Sequence, residues 1–274
     1  MFGQPRIEYK TNEQMRIMRE AGLVLISALD AAVKAADVGV STREIDAVFA
    51  RVLKEAGATS NFLGYYDYPA TVCTSVNEEV VHGIPGDRVL QDGDIISIDG
   101  GAVVNGWHSD SARTVIVGTP DPEDQRLSDV TENAMWHGIA AAAKGKFVGD
   151  IGDAVDDYVN SVPGRKLGIL EDYVGHGIGT EMHQAPDVLN YRTGHRGPKL
   201  RPGLCLAIEP MLVRGKILTR TLDDDWTVVT EDGSRSSQWE HSVAIHEKGI
   251  WVLTAPDGGA SRLEPLGVTP VPIP

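Results

Sequence analysis

The sequence predicts an α+β fold built from two similar halves related by a pseudo-twofold axis. Three observations carry that prediction. The order helix, helix, histidine, acid, acid occurs twice along the 274 residues. Four short echoes recur in the same order in both halves. The stretch 92–113 reads as two strands joined by a Gly-rich turn, each strand delivering one aspartate, Asp99 and Asp110. Ile95, Ile96 and Ile98 form the nearly continuous apolar run of a strand buried on both faces, and the run ends in a carboxylate.

In chain order, residues 1–10 read as an extended lead-in. Ile17, Ala21, Val24, Leu25, Ala28 and Ala32 recur at helical spacing from Asn12 to about Ala36. Ser41-Thr42-Arg43-Glu44 is a capping-box pattern, and Ile45, Val48, Phe49, Val52 and Leu53 continue a second helix. An aromatic loop, NFLGYYDYPA, precedes the strand-like TVCTSV, and His82 sits near a turn before the two aspartate strands. TPDPEDQ, residues 119–125, reads as a polar connector between halves. A third helix is predicted from Leu127 to Ala143, and Val148, Ile151, Val155, Tyr158 and Val159 mark a fourth. Strands are expected in KLRPGLCLAIEP, over 211–219 and 226–230, and in SSQWEHSVAIH. The tail 256–274 is rich in Gly and Pro and reads as an extended arm. The expected organisation is a single catalytic domain over 1–274, with halves at about 12–118 and 126–252.

The echoes are specific. Ile45-Asp46-Ala47-Val48 answers Gly152-Asp153-Ala154-Val155, and His82-Gly83-Ile84 answers His176-Gly177-Ile178. Gly93 to Asp99 matches Gly203 to Glu209, with DIISI against LCLAI between them. Each half ends on a second acid, Asp110 or Glu240. Matching strands from two such halves would meet and bring Asp99, Asp110, Glu209 and Glu240 around one axis. Four carboxylates in one buried site cannot all stay ionised without cations. Oxygen donors with an imidazole suit two divalent ions of the Mn, Fe, Co or Zn type. His176 is the imidazole of choice, because flanking glycines permit close backbone approach.

Composition excludes other classes. The net charge of −14 argues against phosphate-backbone binding as the main task. Two cysteines, Cys73 and Cys205, imply no disulfide framework. The start lacks an apolar signal core, and no apolar run approaches the roughly 20 residues that span a bilayer. A cytoplasmic location without membrane contact is expected. Bland readings remain beside the sharp ones: a buried ion-pair network for the acids, structural roles for His137 and Cys205, a surface position for His108, and a solvated turn for Asp223, Asp224 and Asp225.

Asp99 and Asp110, GHGIG at 175–179, His183, IEP at 208–210 and QWEH at 238–241 together resemble the type I methionine aminopeptidases of the pita-bread (creatinase/aminopeptidase) fold. The likeness runs from about Glu13 to Val252. It implies a curved antiparallel sheet with two helix pairs on its outer face. It implies that Asp99, Asp110, His176, Glu209 and Glu240 hold two divalent ions (Co, Mn, Fe or Zn), and that His82 and His183 contact substrate around the scissile bond. Glu209 resembles the proton-handling glutamate. Phe62, Tyr65, Tyr68, Cys73, Met182 and Trp226 map to the methionine pocket. Phe62 stands where a cysteine is common and Met182 where an aromatic is, so the pocket departs from the family pattern at both. The implied partner is a nascent chain bearing N-terminal Met and a small second residue, met near the ribosome by a monomer. The 25 residues between His183 and Glu209 leave no room for the type II insertion, and the short lead-in fits a bacterial-style form without a zinc-finger extension. Two rivals share the fold. X-Pro dipeptidases and aminopeptidase P carry an added N-terminal domain, and non-catalytic peptide- or protein-binding members have lost metal ligands.

Overall fold

The computed structural model describes residues 6–274, so the first five residues of the predicted lead-in lie outside it. Helices α1 (Asn12–Ala35) and α2 (Thr42–Glu55) are followed by strands β1 (Val72–Val76), β2 (Glu79–Val81), β3 (Ile95–Val104) and β4 (Trp107–Ile116). Helices α3 (Pro122–Lys144) and α4 (Gly149–Ser161) open the second half. Ten strands follow: β5 (Gly168–Ile169), β6 (Gly175–Gly177), β7 (Gln184–Val188), β8 (Cys205–Ile208), β9 (Met211–Val213), β10 (Thr219–Thr221), β11 (Val228–Thr230), β12 (Ser236–Gln238), β13 (His241–His246) and β14 (Gly249–Val252). Helix α5 (Ala260–Leu263) lies in the tail. Among the described residues no helix is long and apolar enough to cross a membrane.

Side-chain caps set the helix starts. Ser41 and Glu44 form the predicted capping box of α2, and Thr11 with Gln14 forms another on α1. Helix α3 begins five residues earlier than predicted, inside the presumed connector. Asp121 accepts from the backbone N–H groups of Glu123 and Asp124 at 2.9 and 3.2 Å, and Pro122 takes the first helical position, where no hydrogen bond is lost.

The two aspartate strands pair antiparallel over ten residues, from Ile95 opposite Ile116 to Val104 opposite Trp107. Asn105 and Gly106 close them with φ of 50° and 78°, the backbone a two-residue type I′ hairpin requires. The expected Gly-rich turn is therefore only this pair, and Gly100-Gly101 belong to the strand. The register passes through both without a bulge. Their small size serves packing instead. A Cβ at Gly100 would lie 2.5 Å from the Phe49 ring of α2, and one at Gly101 would lie 1.8 Å from the Asn61 amide. Alternation along β3 sends Ile96, Ile98 and Ala102 into a core with Leu25, Leu29 and Phe49, while Asp99 on the other face lines a cavity.

The second half copies this frame. Leu206 and Ile208 of β8 pack with Met135, Ile139 and Ile151 of α3 and α4. The order β6–β8–β13 repeats β1–β3–β4, each neighbour antiparallel. Gly93 and Gly203 precede the paired strands with φ of 84° and 93°, a conformation that favours glycine. The halves meet where β4 runs beside the start of β13. Glu240 N–H donates to the Ala112 carbonyl at 3.0 Å, Ala112 N–H returns to the Glu240 carbonyl at 3.4 Å, and Ser111 Oγ donates to that carbonyl at 2.7 Å.

The antiparallel system is divided into a five-stranded sheet, β14-β13-β8-β6-β7, and three-stranded sheets β1-β3-β4, β10-β11-β2 and β12-β9-β5. This division corrects two strand expectations. The run 211–219 breaks into β9 and β10, which lie in different sheets. SSQWEHSVAIH breaks at Trp239-Glu240, where the chain leaves β12 for β13. The tail is not an extended arm. Leu263 and Val268 are buried in the α3–α4 core, and Val271 N–H donates to the Ile250 carbonyl at 3.0 Å.

Candidate metal centre

Every residue predicted for the site lines one cavity of about 530 Å³. Asp110 lies opposite Gly101 and Asp99 opposite Ala112, so the two aspartates are diagonal neighbours on one face of the hairpin. His176 is the middle residue of β6, opposite Ala207 of β8. A Cβ on either flanking glycine, Gly175 or Gly177, would come within 2.3 Å of a backbone carbonyl, which is the close approach expected. Glu209 follows β8, and Glu240 sits at the crossing of the halves. All five are between 2% and 7% exposed.

One oxygen each of Asp110 and Glu240 and a ring nitrogen of His176 lie within 4.8 Å of one another. Asp99 and Glu209 stand outside that trio but are tied to it. Glu209 Oε1 is 3.3 Å from His176 Nε2. Gln238 Nε2 donates to Asp99 Oδ2 at 3.3 Å and to Glu209 Oε2 at 3.4 Å. Burial, then the Glu209 charge, pushes Asp99 up to about 8. Burial and the neighbouring carboxylates hold Asp110 and Glu240 well above the usual range. His176 rises, because the hydrogen bond and charge of Glu209 outweigh the effect of burial, the largest single influence.

Among the described residues no Lys or Arg pairs with any of the five; the ion pairs involve other acids, apart from the His176–Glu209 contact. A buried ion-pair network therefore does not explain the cluster. Asp99 Oδ1 and Glu240 Oε1 are buried without a hydrogen-bond partner, an arrangement that costs free energy unless something else binds there. Orphaned carboxylate oxygens converging with an imidazole fit divalent ions of the Mn, Fe, Co or Zn class.

The two other histidines differ from His176. His183 stands beside it, ring centroids 4.4 Å apart, and its Nδ1 is 2.8 Å from the Tyr65 hydroxyl. Burial, then His176, His82 and His108, pushes His183 down to about 3. Burial takes His82 to about 4. Both shifts favour the neutral imidazole near pH 7. The His82 backbone has φ of 60°, uncommon for a non-glycine residue, and its ring lies edge-on to Trp226 and Tyr173. His108 does not line the cavity; its backbone N–H donates to the Gly179 carbonyl.

The predicted methionine pocket forms one apolar wall. Phe62, Tyr68, Cys73 and Met182 are buried together, with Tyr65 and Trp226 packed against them. Tyr68 meets Phe62 and Trp226 edge-on at 6.3 and 5.0 Å, and its hydroxyl donates to the Gly83 carbonyl at 3.1 Å. The acidic run beside Trp226 is more than a solvated turn. Asp224 accepts from Trp226 N at 2.9 Å, Thr227 N at 2.7 Å and Thr227 Oγ1 at 2.6 Å, which fixes the approach of Trp226. Sequence reasoning missed Tyr66 and Tyr173 among the lining residues, and Gln238 as the donor that bridges two acids. Gln238 was visible in QWEH, but nothing local indicated its partners.

The profile of metallopeptidase family M24 matches residues 16–247. Methionine aminopeptidase 1 of Bacillus subtilis is 43% identical over 245 residues, covering 89% of this chain and 98% of that protein. The crystal structure of methionine aminopeptidase from Rickettsia prowazekii superposes with a TM-score of 0.87 at 33% identity, over 91% of this chain and 100% of the other. A prolidase from Pyrococcus furiosus shares the fold at a TM-score of 0.71 and 24% identity, and only 65% of its chain is covered.

Proposed function

The chain belongs to metallopeptidase family M24, with the methionine aminopeptidases, and from that premise we propose that it removes the initiator methionine from nascent chains whose second residue is small, using two divalent ions. The observation that carries this reading is the buried acid cluster, with its unpartnered Asp99 and Glu240 oxygens, at one side of an apolar cavity.

Asp99, Asp110, His176, Glu209 and Glu240 would hold the ions. Divalent ions in such a set supply Lewis-acid activation for amide hydrolysis. The wall of Phe62, Tyr65, Tyr68, Cys73, Met182 and Trp226 takes the methionine side chain and keeps water from it. With the Tyr65 hydroxyl as the donor in its 2.8 Å contact with His183 Nδ1, the neutral ring carries its proton on Nε2, where it would donate a hydrogen bond to the substrate carbonyl oxygen as negative charge develops. His82, its ring edge-on to Trp226 and Tyr173, would lie near the scissile nitrogen. Glu209 carries a proton towards the leaving amine. The setting is the cytoplasm, where the substrate emerges.

The test is a peptide assay on chelated protein, with Co, Mn, Fe or Zn added back singly. Met-Ala-Ser should be cleaved in proportion to added metal, while Met-Leu-Ser and X-Pro peptides should be spared. Preference for X-Pro peptides would assign the chain to the prolidase branch, and no cleavage of any peptide would make it a binding member of the fold.

A further inference from the structure

The segment 179–184 carries Met182 of the apolar wall and His183 beside the acid cluster, and both its ends are held by one network from the start of the chain. Lys10 is only 5% exposed. Its ammonium donates to the Glu8 carbonyl at 3.0 Å and to Gln184 Oε1 at 3.1 Å, and lies 3.4 Å from the Glu8 carboxylate. That carboxylate accepts from Thr180 N at 3.1 Å, Thr180 Oγ1 at 2.8 Å and Gln184 Nε2 at 2.9 Å. The backbone of Lys10 is fixed in turn, its N–H donating to the Gly203 carbonyl at 2.7 Å.

The fit is complementary. Lys10 needs an acceptor and Glu8 needs a donor, and the Gln184 amide supplies both from one side chain. Gly179 leaves the room. A Cβ there would lie 2.1 Å from Glu8 Oε2 and 2.3 Å from Lys10 Cε. A buried ammonium is costly unless it is well bonded, and this one is spent on a loop edge beside the cavity rather than on a core.

We propose that Glu8 and Lys10 are positioning residues that set the place of His183 and Met182 by clamping Thr180 and Gln184. The proposal rests on reading the cavity as a methionine-cleaving site. The rival is a strap that only anchors the start of the chain. The two differ in coupling: a positioning clamp acts through His183, whereas an anchor acts on stability regardless of that side chain.

The experiment compares Glu8→Gln, Gln184→Glu and their combination, each with and without His183→Ala, in metal-reconstituted full-length protein cleaving Met-Ala-Ser. Amide exchange is read in parallel on metal-free protein. Glu8→Gln should lower kcat about tenfold, as expected for a displaced contacting group. In the His183→Ala background the same change should matter by less than about twofold, the signature of coupled sites. Gln184→Glu alone sets two carboxylates together and should also lower kcat. The double exchange of acid and amide should recover most of the loss, since Lys10 again faces an acceptor and the one remaining acid, at position 184, again faces an amide donor. Exchange of the Thr180–Gln184 amides should speed up in Glu8→Gln while α1 and β3 keep their protection. Equal losses in both His183 backgrounds, no recovery in the exchange variant, or unchanged loop amides would overturn the clamp. If the wild-type protein cleaves no methionyl peptide, the proposed function fails, and the amide exchange still decides the clamp.

Discussion

Strands β3 and β8 both follow a glycine of positive φ, both bury apolar residues against a helix pair, and both lead to an acid, Asp99 or Glu209. Beyond that frame the halves part. His176 lies within β6, 3.3 Å from Glu209, and the hydrogen bond and charge of that carboxylate raise its pKa against the effect of burial. Its counterpart His82 follows β2 with φ of 60°, faces Trp226 and Tyr173, and titrates low because nothing offsets burial. The duplicated frame thus supplies matched acids, and the unequal histidines divide the cavity into an ionic side and an apolar side.

The largest way to break the comparison is to remove an acid the halves share. Asp99→Ala should bring Met-Ala peptide cleavage to background and strip bound metal, measured by atomic absorption. Full activity with normal metal content would remove Asp99 from the site. A smaller change tests the unequal part. His183→Ala should lower turnover by about 10²- to 10³-fold, the loss typical of one aimed donor, while metal occupancy holds; parallel losses would make His183 a metal ligand. The smallest effect concerns the frame. Gly93→Ala and Gly203→Ala each place a side chain at positive φ and should cost about 1–3 kcal/mol in denaturant unfolding. Gly203→Ala should cost more, because its Cβ would meet the Lys10 carbonyl at 2.9 Å, whereas the nearest atom at Gly93 is 3.7 Å away. The reverse order would show that the close approach to the Lys10 carbonyl does not set the cost at Gly203.

Much of this was legible in the sequence, because its signals are local or repeated. Ser41 and Glu44 announce a helix start, a Gly-rich turn joins two strand runs within 92–113, and Gly93–Asp99 is echoed by Gly203–Glu209. The resemblance named the ligand and pocket residues, and these do share one cavity. What stayed hidden depends on distant partners. Gly100 and Gly101 make room for Phe49 and Asn61, which no periodicity in β3 reveals. The bond from Tyr65 to His183 and the grip of Lys10 on Gln184 join residues 118 and 174 positions apart. The tail read as an arm because Gly and Pro dominate its composition, yet Leu263 and Val268 complete the core over α3. The run 211–219 looked continuous because its break answers to sheet membership rather than to residue type.

The unequal treatment of the two histidines is the centre of the account, and one measurement addresses it directly. Calorimetric titration of chelated His176→Ala and His82→Ala with Co or Mn should show weakened binding with reduced stoichiometry for His176→Ala, and wild-type affinity and stoichiometry for His82→Ala. Equal loss in both variants, or normal binding in His176→Ala, would contradict it.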